Sequence, residues 1–415
     1  MIISTFDILQ WIIYFTSLYF VVFWLLVLLE FDIVNKSRKL SKNFPTVTLV
    51  IPAHNEEKAI GKTIESALAL DYPQEKLEII VVNDGSTDRT EQVVKGYLHT
   101  NRIKYLRLKK GGKGAALNKT LQLATGEYFV CLDADSEVNP DSLRLMLPDF
   151  KDKKVASVMA LMKVKNPESR LQKYQFYEYT INIFYKRLMQ FLDCIHVAPG
   201  PFSIYRTAVV REIGGFDEHN LTEDMELAVR LQKHQYKLIQ NMHGIVYTIA
   251  PKTMNGYIQQ RKRWFKGGLF NAIRYREMLF NTKYGDFGLI QLPILIISGI
   301  IATMLIVTTA YQLLKPYVKN VLNLIQVNFD VVTFLKDLRW TIDILDFSYA
   351  NIVMLIIMFF LTSISLYYSH KYAQEKLAKY GKISFIFFIF FYFFLLGFTW
   401  ILVIKDLAFG KKQRW

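Results

Sequence analysis

The sequence predicts an α/β domain flanked by membrane helices. From Pro45 onward, short runs rich in β-branched and aromatic residues alternate with helical patterns, which is typical of βαβ units. Long apolar runs with few charges lie on both sides of this block. The 415 residues are 52% hydrophobic and 21% charged, so polar and apolar segments must be separated along the chain.

The first apolar run, 8–31, is long enough to cross a bilayer. No Lys or Arg precedes it, so it lacks the basic start of a cleavable signal peptide. Four basic residues follow it closely: Lys36, Arg38, Lys39 and Lys42. Because basic residues favour the cytoplasmic side, we expect the N-terminus outside and the soluble block in the cytoplasm. Residues 1–44 are therefore expected to form a transmembrane helix and a basic linker.

Further apolar runs near 287–314, 351–368 and 383–404 predict about three membrane helices within 286–415. The chain is thus expected to be a multi-pass protein of the cell membrane. Four crossings from an outside start would leave the C-terminus outside. Basic residues near the C-terminus favour the cytoplasm instead: Lys411, Lys412 and Arg414. The sequence leaves this conflict open.

The net charge of +15 does not predict nucleic-acid binding. The soluble block has no basic stripe interleaved with stacking aromatic residues, and the basic excess lies beside the apolar runs and at 261–263. Membrane lipids and a phosphate-bearing substrate explain this distribution better. Cys131 and Cys194 match no metal-binding spacing, and we expect both to be reduced cytosolic thiols.

Polar residues follow each predicted strand. The first strand, 47–51, leads to Asn55 and Glu56, and the second, 78–82, leads to Asp84. A carboxylate at such a strand end can accept hydrogen bonds from ribose hydroxyls or from a base N–H. A plain helix-capping turn is the alternative.

A glycine-rich segment follows the next strand. The strand over 103–108 is expected at an edge of the sheet, and 111–114 contains three glycines and Lys113 before a helix over 115–124. Free N–H groups and one positive charge at a helix start suit a phosphate. The spacing is not that of a Walker loop, so the segment is a weak signal alone.

The apolar run 128–132 ends at Asp133 and Asp135 and predicts a strand buried in a parallel sheet. Alternation along an extended chain directs both carboxylates to the same side, where a divalent cation would offset their repulsion. A solvated turn is the alternative for an isolated Asp-x-Asp. Here, three strand ends deliver polar residues to one edge of the sheet, which favours a ligand site.

A strand over 155–162 precedes a long amphipathic helix over about 171–191. The aromatic face of this helix suits either core packing or a position in the membrane interface. The segment 196–206 is rich in turn formers yet apolar, and Gly200 would permit a close approach of the backbone to a ligand.

Two later segments carry further candidates. Thr222 is expected to cap the helix that starts with Glu223 and Asp224, where acidic residues are common on electrostatic grounds alone. In a second amphipathic stretch, Arg263 offers an anion ligand and Trp264 a flat apolar face. A juxtamembrane Arg/Trp anchor is the alternative for this pair.

These segments resemble the membrane-embedded processive members of glycosyltransferase family 2, which include cellulose, hyaluronan, chitin-oligosaccharide and poly-N-acetylglucosamine synthases. The resemblance covers about 45–268 and rests on four marks in the family's order. They are Asp84 in Val-Asn-Asp-Gly-Ser-Thr-Asp, Asp133-Ala-Asp135, Thr222-Glu223-Asp224 and Gln260-Arg-Lys-Arg263-Trp264. Each mark is weak alone, but the ordered set is specific.

The resemblance implies a GT-A nucleotide-sugar-binding fold for 45–250 and an amphipathic interface segment over 251–285. The residues that it assigns to the nucleotide sugar are Asn55, Glu56, Asp84, Lys113, Asp133, Gln260 and Arg263. It also implies that Asp135 ligates Mg²⁺ or Mn²⁺ on the diphosphate.

On the acceptor side, the resemblance assigns Trp264, Gly200 and Pro201 to acceptor binding. It makes Asp224 the general base of the reaction, with Glu223 beside it in the catalytic mark. The activity implied is inverting transfer from a UDP-sugar to a growing β-linked polysaccharide, coupled to export.

The loop 199–206 favours one donor. Its Gly-Pro and Tyr-Arg look more like hyaluronan and chitin-oligosaccharide synthases than like cellulose synthases, which favours UDP-N-acetylglucosamine. A single addition to a ceramide-like or polyprenyl-phosphate lipid is the alternative, because ceramide glucosyltransferases carry a similar Arg-Trp mark. A transporter would show internal repeats and polar residues within its spans, and neither is evident.

Overall fold

The computed structural model describes residues 5–30, 44–326 and 349–410. The basic linker 36–42 and the basic residues 411–414 lie outside the described residues. The strands are β1 (Val47–Ala53), β2 (Leu77–Asp84), β3 (Ile103–Leu108), β4 (Tyr128–Cys131), β5 (Ser136–Val138), β6 (Val155–Val164), β7 (Ser203–Arg206) and β8 (Lys237–Thr248). They form a single sheet in the order β3-β2-β1-β4-β7-β6-β8-β5.

Helices cover both faces of this sheet and continue into the apolar parts of the chain. Those before β7 are α1 (Thr5–Glu30), α2 (Ile60–Leu68), α3 (Thr90–Lys95), α4 (Lys113–Leu123), α5 (Ser142–Met146) and α6 (Arg170–Phe191). Those after β7 are α7 (Thr207–Glu212), α8 (Glu223–Lys233), α9 (Met254–Arg274), α10 (Leu292–Gln326), α11 (Tyr349–Ala373) and α12 (Lys382–Ala408).

The half of the sheet that carries the predicted strand ends is parallel. β1 pairs in parallel with β2 and β4, and β2 pairs in parallel with β3, which is the predicted edge strand. The carboxyl ends of these strands therefore meet at one edge, where open α/β sheets bind ligands. β7 is antiparallel to both β4 and β6.

Alternating side chains of β1 enter two separate cores. Leu49 and Ile51 pack in one cluster with Ile64 of α2, whereas Val50 packs in another with Leu117 of α4. Because the strand is buried on both faces, its sequence is apolar at every position except Thr48 rather than alternating. Apolar packing thus fixes the strand ends relative to each other.

Two local predictions differ from the structure. The helix expected at 115 begins at Lys113, so this lysine belongs to the first turn of α4. Thr222 precedes α8 as expected but does not cap it, because its hydroxyl donates to Asn220 Oδ1 and accepts from Asn271 Nδ2 of α9, both at 3.3 Å. Thr222 is therefore used to hold α9 against the start of α8.

Four helices within the described ranges are long and apolar enough to cross a membrane, as the sequence predicted. They are Ile8–Glu30, Phe287–Tyr311, Ile352–Ala373 and Lys382–Ala408. The aromatic face of α6 packs against the last two. Phe184 stacks on Tyr372 of α11, and the buried Tyr177 lies 5.3 Å from the rings of both Phe385 and Phe388 of α12. That face is thus buried against candidate membrane helices.

The contact between α9 and the start of α8 requires a glycine. A Cβ atom on Gly267 would lie 2.3 Å from Oγ1 of Thr222 and 2.5 Å from its Cγ2, well inside contact distance. The neighbouring Gly268 has room, since its added Cβ would lie 3.6 Å from Sδ of Met225. Substitution of Gly268 can therefore serve as the control for substitution of Gly267.

We predict that Gly267→Ala destabilises the folded protein by about 1–3 kcal/mol, because overpacking pushes α9 away from α8. Gly268→Ala should be neutral or stabilising by up to about 1 kcal/mol, because alanine favours the helix. The midpoint of thermal unfolding in one detergent measures both variants. Equal shifts for the two would contradict the contact described.

Candidate active site

Asp133 and Asp135 follow β4 at the carboxyl edge of the parallel strands. Leu132 and Ala134 are buried, with exposures of 0% and 4%, while both aspartates are partly exposed. The alternation predicted from the sequence is therefore present. The hydroxyl of Ser136 donates to Oδ1 of Asp135 at 3.0 Å.

Lys113 connects three elements at this edge. Its Nζ lies 2.6 Å from Oδ1 of Asp133, after β4, and 3.1 Å from Oε1 of Glu223, at the start of α8. Burial alone would lower the pKa of Lys113, but the Asp133 and Glu223 carboxylates hold it well above its usual range. The lysine is thus a fixed positive charge among carboxylates.

Asp84 holds the glycine segment that precedes Lys113. Its two carboxylate oxygens accept hydrogen bonds from the backbone N–H groups of Gly111 and Gly112, each at 2.8 Å, and only 4% of the residue is exposed. Gly112 has φ +91°, a left-handed conformation that favours glycine. Asp84 therefore positions the turn that delivers Lys113 to the site.

Asn55 and Glu56 form the neighbouring strand end. The side-chain carbonyl of Asn55 accepts from the backbone N–H of Thr87 at 2.8 Å, so it joins the loops after β1 and β2. Burial raises the pKa of Glu56 to about 7, and the carboxylates of Asp135 and Asp133 add to this effect. Glu56 therefore faces the same cluster of carboxylates.

Asp224 lies beside this cluster on α8. Burial and the carboxylates of Glu223 and Asp133 raise the pKa of Asp224 to about 6, whereas Lys113 and Arg263 act in the opposite direction. Oδ1 of Asp224 accepts from the backbone N–H of Met225 at 2.8 Å. A carboxylate with this pKa is ionised at neutral pH and still able to accept a proton.

Gly200 lies directly against the ion pair of Lys113 and Asp133. A Cβ atom at this position would lie 2.3 Å from Nζ of Lys113 and within 2.6 Å of both carboxylate oxygens of Asp133. Pro201 follows it, and the fully buried Phe202 has φ +50°, so the backbone bends sharply here. The predicted close approach at Gly200 is therefore made to residues of the site.

The helix α9 carries Gln260, Arg263 and Trp264, of which Arg263 lies near Asp224 of the cluster. Oε1 of Gln260 accepts a hydrogen bond from Nη1 of Arg261. The positive charge of Arg263 is close enough to lower the pKa of Asp224. The guanidinium carbon of Arg261 lies 4.2 Å from the centre of the Trp264 ring.

Sequence reasoning missed three residues of this region. Arg261 is fully buried and pairs with Glu178 of α6, which is the only acidic residue of that helix. The sequence signal that could have identified Glu178 is that it is a single acidic residue within an aromatic helix. The third residue is Lys186 of α6: burial lowers its pKa to about 8, and the Asp224 carboxylate partly offsets this.

The described ranges contain no group of three or more His, Cys, Asp or Glu side chains arranged to hold a metal ion. A cation at this edge would therefore take few protein ligands. Asp135 is the candidate that sequence reasoning named, and burial together with the Asp133 carboxylate raises its pKa to about 6. Such a site would need oxygen atoms from a ligand to complete the coordination shell.

Comparison with known proteins confirms the predicted resemblance. Residues 48–214 match the family model described as "Glycosyl transferase family 2". The chain is 28% identical over 325 residues to a poly-beta-1,6-N-acetyl-D-glucosamine synthase of Staphylococcus epidermidis, covering 75% of this chain and 78% of that protein. It is 30% identical over 246 residues to the synthase of the same name from Staphylococcus aureus strain COL, covering 59% of each chain.

The chain is also 30% identical over 225 residues to the synthase of the same name from Staphylococcus epidermidis strain ATCC 35984. There the chain spans 54% of the length of its relative. A mannosyltransferase of Pyrobaculum calidifontis, solved in complex with GDP-Man and Mn²⁺, matches with a TM-score of 0.56 and 21% identity, covering 80% of this chain and 99% of that one. This match confirms the GT-A-like fold. With its four long apolar helices, the chain is a membrane protein.

Proposed function

We propose that this protein is an inverting glycosyltransferase that transfers N-acetylglucosamine from its UDP-sugar to a growing β-linked polysaccharide, coupled to export. The observation that carries the proposal is the convergence of Lys113, Asp133 and Asp224 at one sheet edge, with the Arg-Trp helix beside them. The names of the similar synthases support the choice of monomer and of a polymeric product.

The donor would lie along the carboxyl edge of the parallel strands. Asp84 and Asp133, with Asn55 and Glu56 beside them, would contact the nucleoside. Lys113, which the neighbouring carboxylates keep protonated, would face the diphosphate. Gln260 and Arg263 would bind the diphosphate from the side of α9, so that negative charge on the departing group meets two cations.

The transfer itself is a single displacement. The acceptor hydroxyl attacks the anomeric carbon, the bond from that carbon to the diphosphate oxygen breaks, and the configuration changes from α to β. Asp224 removes the proton of the attacking hydroxyl. Glu223 keeps Lys113 in place and raises the pKa of Asp224, while Trp264, Gly200 and Pro201 would form the acceptor side.

The carboxylates near Asp135 fit a divalent cation. Their burial and mutual repulsion raise the pKa of Asp135 to about 6 and that of Glu56 to about 7, so a positive charge placed between them would be favoured. We therefore propose that Asp135 ligates Mg²⁺ or Mn²⁺. When bound, such an ion neutralises charge on the leaving diphosphate.

We further propose that the protein is a multi-pass protein of the cell membrane with its catalytic domain and C-terminus on the cytoplasmic side. Glu375, just before α12, pairs with Lys163 of β6 at 3.1 Å. At the other end of α12, Asp406 pairs with Lys262 and Lys266 of α9 at 2.5 and 2.7 Å. The start of α12 is thus held at the catalytic domain and its end at α9 of the interface segment. If both ends lie on the same side, α12 does not complete a crossing, and the C-terminus lies on the side that the basic residues at 411–414 favour.

The function is tested by incubating the purified protein with a panel of radiolabelled UDP-sugars and Mg²⁺ or Mn²⁺. We expect a ladder of products from UDP-N-acetylglucosamine, lost on chelation and restored by the metal. A single product that partitions into organic solvent would establish the lipid alternative instead. Donor binding without hydrolysis or transfer would leave a non-catalytic binding protein.

The proposed metal ligand, Asp135, can be tested against a nearby aspartate that serves as control. Asp135→Asn should raise the Mn²⁺ concentration required for half-maximal rate by about tenfold or more, because one of few anionic ligands is lost. Asp141→Asn, an exposed aspartate six positions away, should leave the requirement unchanged. An unaltered metal requirement in Asp135→Asn would refute the assignment.

The role of Asp224 predicts a specific pH dependence. The ionised form of Asp224 exists above its pKa of about 6, so kcat/KM for transfer should fall as the pH drops through about 6. Asp224→Asn should lower transfer about a hundredfold or more at neutral pH while UDP affinity stays within a few-fold. A large loss of UDP affinity would show that Asp224 binds the donor instead of acting as base.

The side of the C-terminus is tested with single cysteines. The native Cys131 and Cys194 are buried, so an impermeant maleimide should report only introduced positions. Phe409→Cys, at a residue that is 74% exposed, should react in the same vesicle orientation as Glu75→Cys on the catalytic domain. Reaction of the two in opposite orientations would place the C-terminus across the membrane.

A further inference from the structure

We propose that Arg261 is a positioning residue for the acceptor site, and that α12, the last apolar helix, takes part in this through Glu178. Arg261 holds the ring of Trp264, Glu178 holds Arg261, and Tyr392 of α12 holds Glu178. This inference rests on the proposed function, since it assumes that Trp264 contacts the acceptor sugar.

The centre of this arrangement is a buried ion pair. Arg261 has no exposed surface, and the Glu178 side chain is 13% exposed. Nε of Arg261 donates to Oε1 of Glu178 at 3.2 Å, and Nη2 donates to Oε2. A buried arginine is tolerated only when it is paired, and a two-point pair also fixes the plane of the guanidinium. Glu178 therefore sets the orientation of Arg261.

That plane lies against aromatic rings of α9. The guanidinium carbon is 4.2 Å from the ring centre of Trp264 and 4.8 Å from that of Tyr257. Contact of a guanidinium with an indole is attractive and depends on orientation. Trp264 is three positions after Arg261 and Tyr257 four positions before it, so all three share one side of the helix. Trp264 remains partly exposed, as an acceptor contact requires.

The connection to α12 is made at Oε2 of Glu178, the oxygen that also accepts from Nη2 of Arg261. The hydroxyl of the buried Tyr392 donates to Oε2 of Glu178 at 2.6 Å. One turn further along α9, Phe265 stacks on Trp400 of α12, with ring centres 4.6 Å apart and an angle of 8° between the planes. The helix that carries Trp264 is therefore linked to α12 directly through Phe265 and indirectly through Glu178 of α6.

The chain provides a control within the same pair of helices. Lys262 neighbours Arg261 on α9 and also contacts α12, through its ion pair with Asp406. Lys262 has no ring contact of the kind that Arg261 makes with Trp264 among the described residues. Lys262→Gln therefore weakens the attachment of α9 to α12 without removing the support of Trp264.

The test compares Arg261→Lys, Tyr392→Phe and Lys262→Gln in the full-length protein. Initial rates are measured with UDP-N-acetylglucosamine varied, and separately with a short β-linked N-acetylglucosamine oligosaccharide varied as acceptor. Donor hydrolysis without acceptor is measured as well. Arg261→Lys keeps the charge but loses the planar contact with the ring.

For Arg261→Lys we expect the acceptor KM to rise about fivefold or more, with donor hydrolysis at saturating donor within about twofold. The donor KM should rise by a smaller factor than the acceptor KM, because the hydrogen bond from Nη1 of Arg261 to Gln260 is also lost. Tyr392→Phe should raise the acceptor KM by a smaller factor, because it removes one hydrogen bond and keeps the ring. Lys262→Gln should leave the acceptor KM unchanged. This split between the two substrates is not expected from a loss of folded protein.

The inference is overturned if Arg261→Lys changes the donor and acceptor parameters equally, or if Lys262→Gln raises the acceptor KM as much as Arg261→Lys does. If Arg261→Lys does not fold, Tyr392→Phe decides, and an unchanged acceptor KM overturns the role of α12. If the wild-type protein neither hydrolyses the donor nor transfers the sugar, the proposed function itself fails, which a change confined to the acceptor KM could not produce.

Discussion

The ion pairs of Lys113 with Asp133 and Glu223 join the start of α4, the end of β4 and the start of α8 at one point. Asp133 follows Lys113 by 20 positions and Glu223 follows Asp133 by 90, and no single strand or helix connects them. Two neighbouring contacts serve the same point: Asp84 holds the turn before Lys113, and Gly200 leaves space that a Cβ atom would fill. Without the lysine, the carboxylates of Asp133 and Glu223 would lose the cation that lies between them.

The charge balance of the site suits a ligand that is both anionic and metal-bound. Lys113 is held by carboxylates, and Arg263 lies near Asp224, so each cation already has a partner in the absence of a donor. The acids at Glu56, Asp135 and Asp224 have raised pKa values because they are buried and because each lies near the carboxylate of Asp133. A diphosphate would compete for the cations, and a divalent cation would relieve the acids. The site is therefore strained electrostatically in a way that such a substrate complex would remove.

The sequence was sufficient where local pattern decides the structure. Continuous apolar runs predicted the strands, and polar residues at their ends predicted which side chains would meet, because parallel strands must end at one edge. It was insufficient where a contact joins distant helices. Nothing local in Glu178 indicates a partner 83 positions away, and Thr222 looked like a helix cap because its link to Asn271 depends on how α9 packs.

The position of α9 shows why those distant contacts matter. On one side, Gly267 lets the helix lie directly on Thr222, next to the acidic start of α8. On the other side, Lys262 and Lys266 pair with Asp406, and Phe265 stacks on Trp400, so the same helix is fixed to the last apolar helix. A displacement of α12 relative to the sheet would have to move α9, break these contacts, or both. Because Arg263 and Trp264 lie on the same helix as both sets of contacts, a displacement that breaks a whole set would move them, whereas the loss of the Lys262 ion pair alone would not.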